Sequence, residues 1–173
     1  FEIRKYLNDL NTVEVSELLN QFESSELIMI FRLLSKNRAA YVFSYLDTEH
    51  QEMIINTMTD VETKNIFDEL YFDDIVDIIE EMPANVVKKI LKNTDAKDRH
   101  LINQLLKYPD NSAGSIMTTE YMDLKKDMNV SQALSKIRET IEDTENVYTC
   151  YVISKDRKLE GVISLKELIT SDD

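Results

Sequence analysis

"TDVETKNIFDEL" (Thr59–Leu70) and "YFDDIVDIIEEM" (Tyr71–Met82) follow each other without a gap and share one pattern. Positions eight, nine and twelve are apolar in both: Ile66, Phe67 and Leu70, then Ile78, Ile79 and Met82. With position five, these residues are spaced i, i+3, i+4, i+7, so they share one face of an α-helix. The frame extends in both directions. From Asn11, eight consecutive blocks of twelve run to Leu106. Position eight is always aliphatic: Leu18, Ile30, Val42, Ile54, Ile66, Ile78, Ile90 and Ile102. Position nine fails only at Asn103, and position twelve only at Thr94.

The first position of each block supplies punctuation. Asn11, Ser35, Asp47, Thr59 and Asp95 are good N-caps, and Pro83 suits a helix start. Residues 1–107 contain no glycine, which fits helices joined by tight corners. A helix this short is marginal alone in water. Stacked neighbours that bury each other's stripes give a superhelical solenoid. An irregular helical bundle is the alternative, and the gapless period favours the solenoid.

The period breaks at "LLKYPDNSAGSIMTTEYM" (Leu105–Met122), where Pro109, Asn111 and Gly114 mark a connector over 108–121. The pattern then changes. "VSQALSKIRETI" (Val130–Ile141) predicts an amphipathic helix and "NVYTCYVIS" (Asn146–Ser154) a strand. "KDRK" predicts a turn, "LEGVIS" (Leu159–Ser164) a second strand, and "LKELI" a closing helix. The predicted fold is therefore mainly α: a short-helix solenoid over 1–107, then a small α+β unit of order β-α-β-β-α over 122–173. That unit is about half an ordinary domain and wants a partner copy to complete its core.

The formal net charge is −13. Phosphate contacts need a basic face, so a nucleic-acid partner is not expected. The same charge argues against anionic lipid headgroups and fits a cationic partner such as a metal ion. Cys150, the single cysteine, cannot form an internal disulfide, and a cytosolic setting is expected. No apolar run is long enough to cross a bilayer, and no signal peptide is visible. The chain starts at Phe1 without methionine and reads as cut from something longer.

"YPDNSAGSIMTTEYM" resembles the connector of MgtE magnesium channels, which joins an N-terminal helical domain to paired CBS motifs. "YTCYVISKDRKLEGVISLKELI" resembles the second half of a CBS motif, and the twelve-residue blocks resemble the MgtE N-terminal domain. The resemblance implies a regulatory, Mg²⁺-sensing part at the cytoplasmic face of the cell membrane, with no enzymatic activity. The second CBS motif and the transmembrane pore domain of the same protein would be its partners, with homodimerisation through the CBS region. The 122–173 unit would then be a first CBS motif, half of an incomplete pair. Some CBS pairs bind adenine nucleotides; the matching polar positions here are Ser164 and Glu167, and nucleotide binding by this chain stays open.

"YFDDIVDIIEEM" carries Asp73, Asp74, Asp77, Glu80 and Glu81, and no Lys or Arg occurs between Lys64 and Lys88. Around a helix, Ile75, Ile78, Ile79 and Met82 form the buried face. Asp73, Asp77 and Glu80 lie opposite, with Asp74 and Glu81 as an adjacent stripe. The helix dipole favours Asp73 and Asp74 in the first turn but not the later acids. Asp73–Asp77 and Asp77–Glu81 are like-charged i, i+4 pairs, each costing about 0.2–0.5 kcal/mol. From charge alone, a solvated acidic face is the plainer reading. The resemblance makes Asp73 and Asp77, with Asp74 beside them, the expected Mg²⁺-responsive residues. Another acidic position of the family is Tyr41 here, a departure from its pattern.

Two other functions compete. One is a protein-binding solenoid scaffold similar to the repeat domains of flagellar motor switch proteins; the other is a nucleotide-sensing CBS module. His50 and His100 are expected at the surface, in no zinc pattern. Cys150 is expected to be small and buried, and Gly161 to permit a strand bend or close packing.

Overall fold

The computed structural model describes residues 2–172. They form two compact units, divided between Met117 and Thr118.

The first unit is all helix: α1 Glu2–Asp9, α2 Thr12–Leu19, α3 Ser24–Phe31, α4 Lys36–Ser44, α5 Thr48–Thr57, α6 Asp60–Phe67, α7 Phe72–Glu81, α8 Ala84–Asn93 and α9 Ala96–Leu105. A single 3-10 turn, Ala113–Ser115, follows. Each twelve-residue block is one helix. The N-cap residues are Asn11, Glu23, Ser35, Asp47, Thr59, Tyr71, Pro83 and Asp95, the first position of every block. Cap chemistry does not set this spacing. Asn11 and Thr59 build full capping boxes with Glu14 and Glu62. Ser35, Asp47 and Asp95 occupy the cap positions without a side-chain cap bond, contrary to the sequence expectation. The apolar stripes set the period instead.

Position eight is buried in seven of the eight blocks, the exception being half-buried Leu18. Position nine contributes an aromatic series. Phe31 meets Phe43 edge-on at 6.4 Å, and Phe43 meets Phe67 edge-on at 5.8 Å between ring centroids. Gln51, a polar residue at position five, is buried but satisfied: its Nε2 donates to the Phe43 carbonyl at 2.9 Å. The pattern weakens in α9, where Arg99 and Asn103 replace apolar residues and are exposed.

The main packing partners are next-but-one helices: α2 with α4, α4 with α6, α6 with α8, α3 with α5, and α7 with α9. The sequence repeats every helix, but the structure repeats every helix pair, as in other α-solenoids. Two basic side chains tie distant turns together. Arg38 donates to the Leu7 and Leu10 carbonyls at the end of α1, and Lys89 to those of Ile55 and Met58 at the end of α5. Helix C-termini leave such carbonyls without intrahelical partners, and a cation suits that end of the dipole. His50 is half-buried, a correction to its expected surface placement. Its Nε2 lies 3.4 Å from the Phe22 carbonyl, because it too points at a preceding block's end.

The second unit contains β1 Tyr121–Lys125, α10 Val130–Thr140, β2 Asn146–Ile153, β3 Leu159–Ser164 and α11 Leu165–Thr170. β1 pairs parallel with β2, which needs the α10 crossover. β2 pairs antiparallel with β3 through a turn in which Arg157 adopts a left-handed φ of 59°. Met122, Leu124, Ala133, Ile137, Cys150 and Leu168 form the separate core of this unit. Cys150 is buried, and burial pushes its thiol pKa up. Gly161 is not a close-packing site, since a Cβ there would meet nothing within 4 Å. It lies instead beside an irregularity of the β2–β3 ladder.

Candidate functional site

α7 begins after Leu70 closes the fifth block and ends before Pro83. Ile75, Val76, Ile78 and Ile79 are buried beneath it, and Met82 just beyond its end. The five acids occupy the remaining arc. Asp73 and Asp74 are half-buried in the first turn; Asp77, Glu80 and Glu81 are exposed. Among the described residues, no Lys or Arg forms an ion pair with Asp77, Glu80 or Glu81. Glu81 instead accepts from the Thr48 hydroxyl at the start of α5. The Asp77 pKa lies above the ordinary aspartate value. Neighbouring atoms displacing water from its carboxyl are the larger cause, and the Glu81 charge adds to it.

The three residues expected from sequence thus share one helix and one arc, but they do not form a cage. Among the described residues, no three His, Cys, Asp or Glu side chains converge as a metal cluster. The donors are all hard carboxylate oxygens. That set fits Mg²⁺ held through one or two carboxylates while it keeps several waters, and does not fit a dry coordination sphere.

Two features escaped the sequence reading. Asp73 and Glu80 flank Val76 along one wall of a narrow cleft, and the opposite wall is formed by Leu105, Gly114, Ser115 and Met117. The signal was the apolar Val76 at the margin of the acidic arc. The second feature is the link from Thr48 to Glu81, which no local pattern encodes.

Tyr41 is exposed on α4. In the second unit, Ser164 caps α11 and is bonded to Glu167. The Glu167 carboxylate accepts from the Ser164 backbone N–H at 2.8 Å and its hydroxyl at 2.7 Å, which lowers the Glu167 pKa. Among the described residues, no helix is long and apolar enough to cross a membrane.

Residues 10–111 match the MgtE intracellular N domain, and residues 113–172 match the CBS domain. The chain belongs to the MgtE family. Magnesium transporter MgtE of Thermus thermophilus is 29% identical over 98% of the chain, and that of Bacillus subtilis 23% over 96%. The chain spans only 38% and 40% of those relatives. The MgtE transporter of Enterococcus faecalis is 39% identical over 42% of the chain, which spans 16% of it. Among solved structures, the cytosolic domain of the Mg²⁺ channel MgtE in complex with ATP superposes with a TM-score of 0.88. It is 28% identical, and the match covers 98% of this chain and 69% of that one. The soluble part of a magnesium transporter gives a TM-score of 0.89 at 26% identity, covering 99% and 68%. The mostly helical architecture with a small three-stranded sheet is therefore that of MgtE cytosolic domains.

Proposed function

We propose that this chain is the Mg²⁺-responsive cytosolic part of a membrane Mg²⁺ channel or transporter, and that it favours the closed pore when Mg²⁺ is high. The observation that carries this reading is α7: an acidic arc in which Asp77 is exposed but partly shielded from water, faces Glu81, and has no basic ion-pair partner among the described residues. Such an arc gains most from an external cation. Asp73, Asp77 and Asp74 are the residues we assign to a hydrated Mg²⁺. The ion would sit between this face and acidic groups of the rest of the protein, screening their repulsion. Without it, like-charged surfaces separate. Mg²⁺ acts by binding one arrangement better than the other, as any population shift requires.

On this reading the partners are a second CBS motif and a transmembrane pore domain of the same protein, at the cytoplasmic face of the membrane. The CBS region pairs with a second copy. The role is regulatory, not catalytic. The test is Asp73→Asn/Asp77→Asn in the full-length protein. Transport should then be less inhibited by Mg²⁺; inhibition identical to the parent would remove the assignment.

Nucleotide sensing is a second reading, favoured by the ATP bound to a similar cytosolic domain. Here Ser164 and Glu167 are bonded to each other in the α11 cap, both bonds ending on one carboxylate oxygen, Glu167 Oε2. ATP binding with no response to Mg²⁺ would favour this second reading.

A further inference from the structure

Two apolar side chains are buried where the twelve-residue pattern does not bury them. Val76 holds position six of its block and is 7% exposed. The same position in the two flanking blocks is Lys64 and Lys88, half-buried and exposed. Leu105 holds position eleven and is 5% exposed, whereas no other block buries that position. No further helical block follows α9 to cover them; the chain passes into the single 3-10 turn instead. The cover is that segment itself. Gly114, Ser115 and Met117 line one narrow cleft with Val76 and Leu105. The space left is about 10 Å³, no more than a single water needs, so the segment is closely applied.

The segment is shaped for that place. The chain turns at Asn111, whose φ of 59° is left-handed. The Ser112 N–H donates to the Pro109 carbonyl at 3.1 Å, and the Ser112 hydroxyl accepts from the Ser115 N–H at 3.3 Å. The Tyr108 ring comes so close to Gly114 that a Cβ on residue 114 would overlap the ring carbons. Gly114 does not have a positive φ, so the position requires a missing side chain and not backbone freedom.

We propose that residues 108–117 are a strap that caps the C-terminal end of the solenoid, buckled by Tyr108 over Gly114, so that the chain is free to pivot only from Thr118. A solenoid needs a terminal cap because its last repeat has no neighbour to bury its apolar surface, and the cap's outer side must be polar. Asp110 and Asn111, both exposed, supply that side. Beyond the strap, the Glu120 carbonyl already accepts from the Glu145 N–H of the second unit at 2.9 Å. The pivot is therefore confined to Thr118 and Thr119. A linker loose from 108 to 121 would behave as a flexible coil of far longer reach. The strap needs no ion, and it does not rest on the Mg²⁺-responsive reading of α7.

Backbone ¹⁵N relaxation of the whole chain tests this. We expect order parameters of about 0.85 through Met117, and a fall confined to Thr118 and Thr119. Gly114→Ala should bring residues 112–117 below about 0.6, shift the methyl resonances of Val76 and Leu105, and leave α2–α6 unchanged. Tyr108→Ala, which removes a partly exposed ring, should do the same. If Gly114→Ala unfolds the solenoid, Tyr108→Ala decides alone by the same readout. A fall that already begins at Pro109 in the parent chain would make the segment an ordinary linker and overturn the proposal. An unbroken rigid run through Thr119 would leave no pivot and overturn it too. If 112–117 stay rigid in the folded variants, Tyr108 on Gly114 is not the buckle and the proposal fails.

Discussion

α6 and α7 are neighbours in the chain, and both blocks are rich in acid, but their charges are handled in opposite ways. Each acid of the α6 block has a basic partner. Asp60 meets Lys92 at 2.8 Å, Glu62 meets Arg32 at 3.2 Å, Asp68 meets Lys64 at 2.9 Å, and Glu69 meets Lys36 at 2.7 Å. The carboxyl pKa values of Asp60 and Glu62 are lowered. For Asp60 the main cause is the Lys92 hydrogen bond; for Glu62 it is the Thr59 backbone N–H, then the Thr59 hydroxyl. On α7 the Asp77 pKa is raised. Acid count therefore does not mark a site. What distinguishes α7 is that the solenoid supplies cations to the α6 block and supplies none, as ion pairs among the described residues, to Asp77, Glu80 or Glu81.

The largest effects should be common to both helices, because both rest on the same core. Ile66→Ala and Ile78→Ala each remove a buried position-eight side chain, and each should cost about 2–5 kcal/mol in urea unfolding. A loss confined to one helix would break the equivalence of the two blocks. Next is the cap. Thr59→Ala removes the α6 capping box and should cost about 0.5–2 kcal/mol.

The charge variants should then diverge in sign. Asp77→Asn relieves its repulsion with Glu81 and should stabilise the chain by about 0.2–0.5 kcal/mol. Glu62→Gln should destabilise it. If Asp77→Asn is also destabilising, α7 is not a frustrated surface and the contrast fails. pH sharpens the same point. Asp77 holds its proton more tightly folded than unfolded, so its contribution to stability grows as pH falls through its raised pKa. Asp60 and Glu62 contribute stability above the ordinary carboxylate pKa and lose it as pH falls through their lowered values. Carboxyl NMR titration should place the Asp77 midpoint above the Asp60 midpoint. Added Mg²⁺ should lower the Asp77 midpoint and leave Asp60 in place. The smallest effect is expected for Lys92→Met, which breaks an exposed pair and should not measurably change the unfolding midpoint.

Much of this was legible in the chain. The block frame located every N-cap from Asn11 to Asp95, because apolar residues at i, i+3, i+4, i+7 can only be buried together on one helix face. The acidic arc of α7 followed from the same geometry. The cap chemistry was less legible: Ser35, Asp47 and Asp95 look like Asn11 and Thr59 in sequence, yet their side chains make no cap bond. His50 was misplaced for a similar reason. Its burial comes from the Phe22 carbonyl, 28 residues away, and not from its neighbours.

The sequence by itself determined the number of blocks, their helical character and the face each one buries, since these depend on side-chain periodicity along a single element. It also marked where the helical grammar ends, at Pro109 and Gly114. Only the tertiary structure decided that helices pack in next-but-one columns, that Asp60, Glu62 and Glu69 of the α6 block meet Lys and Arg about thirty residues away, and that Gly114 lies under Tyr108 beside α7. Periodicity is a local property of the chain. The partner of a charge, and the water that it loses, depend on which distant segments the fold brings within a few ångströms.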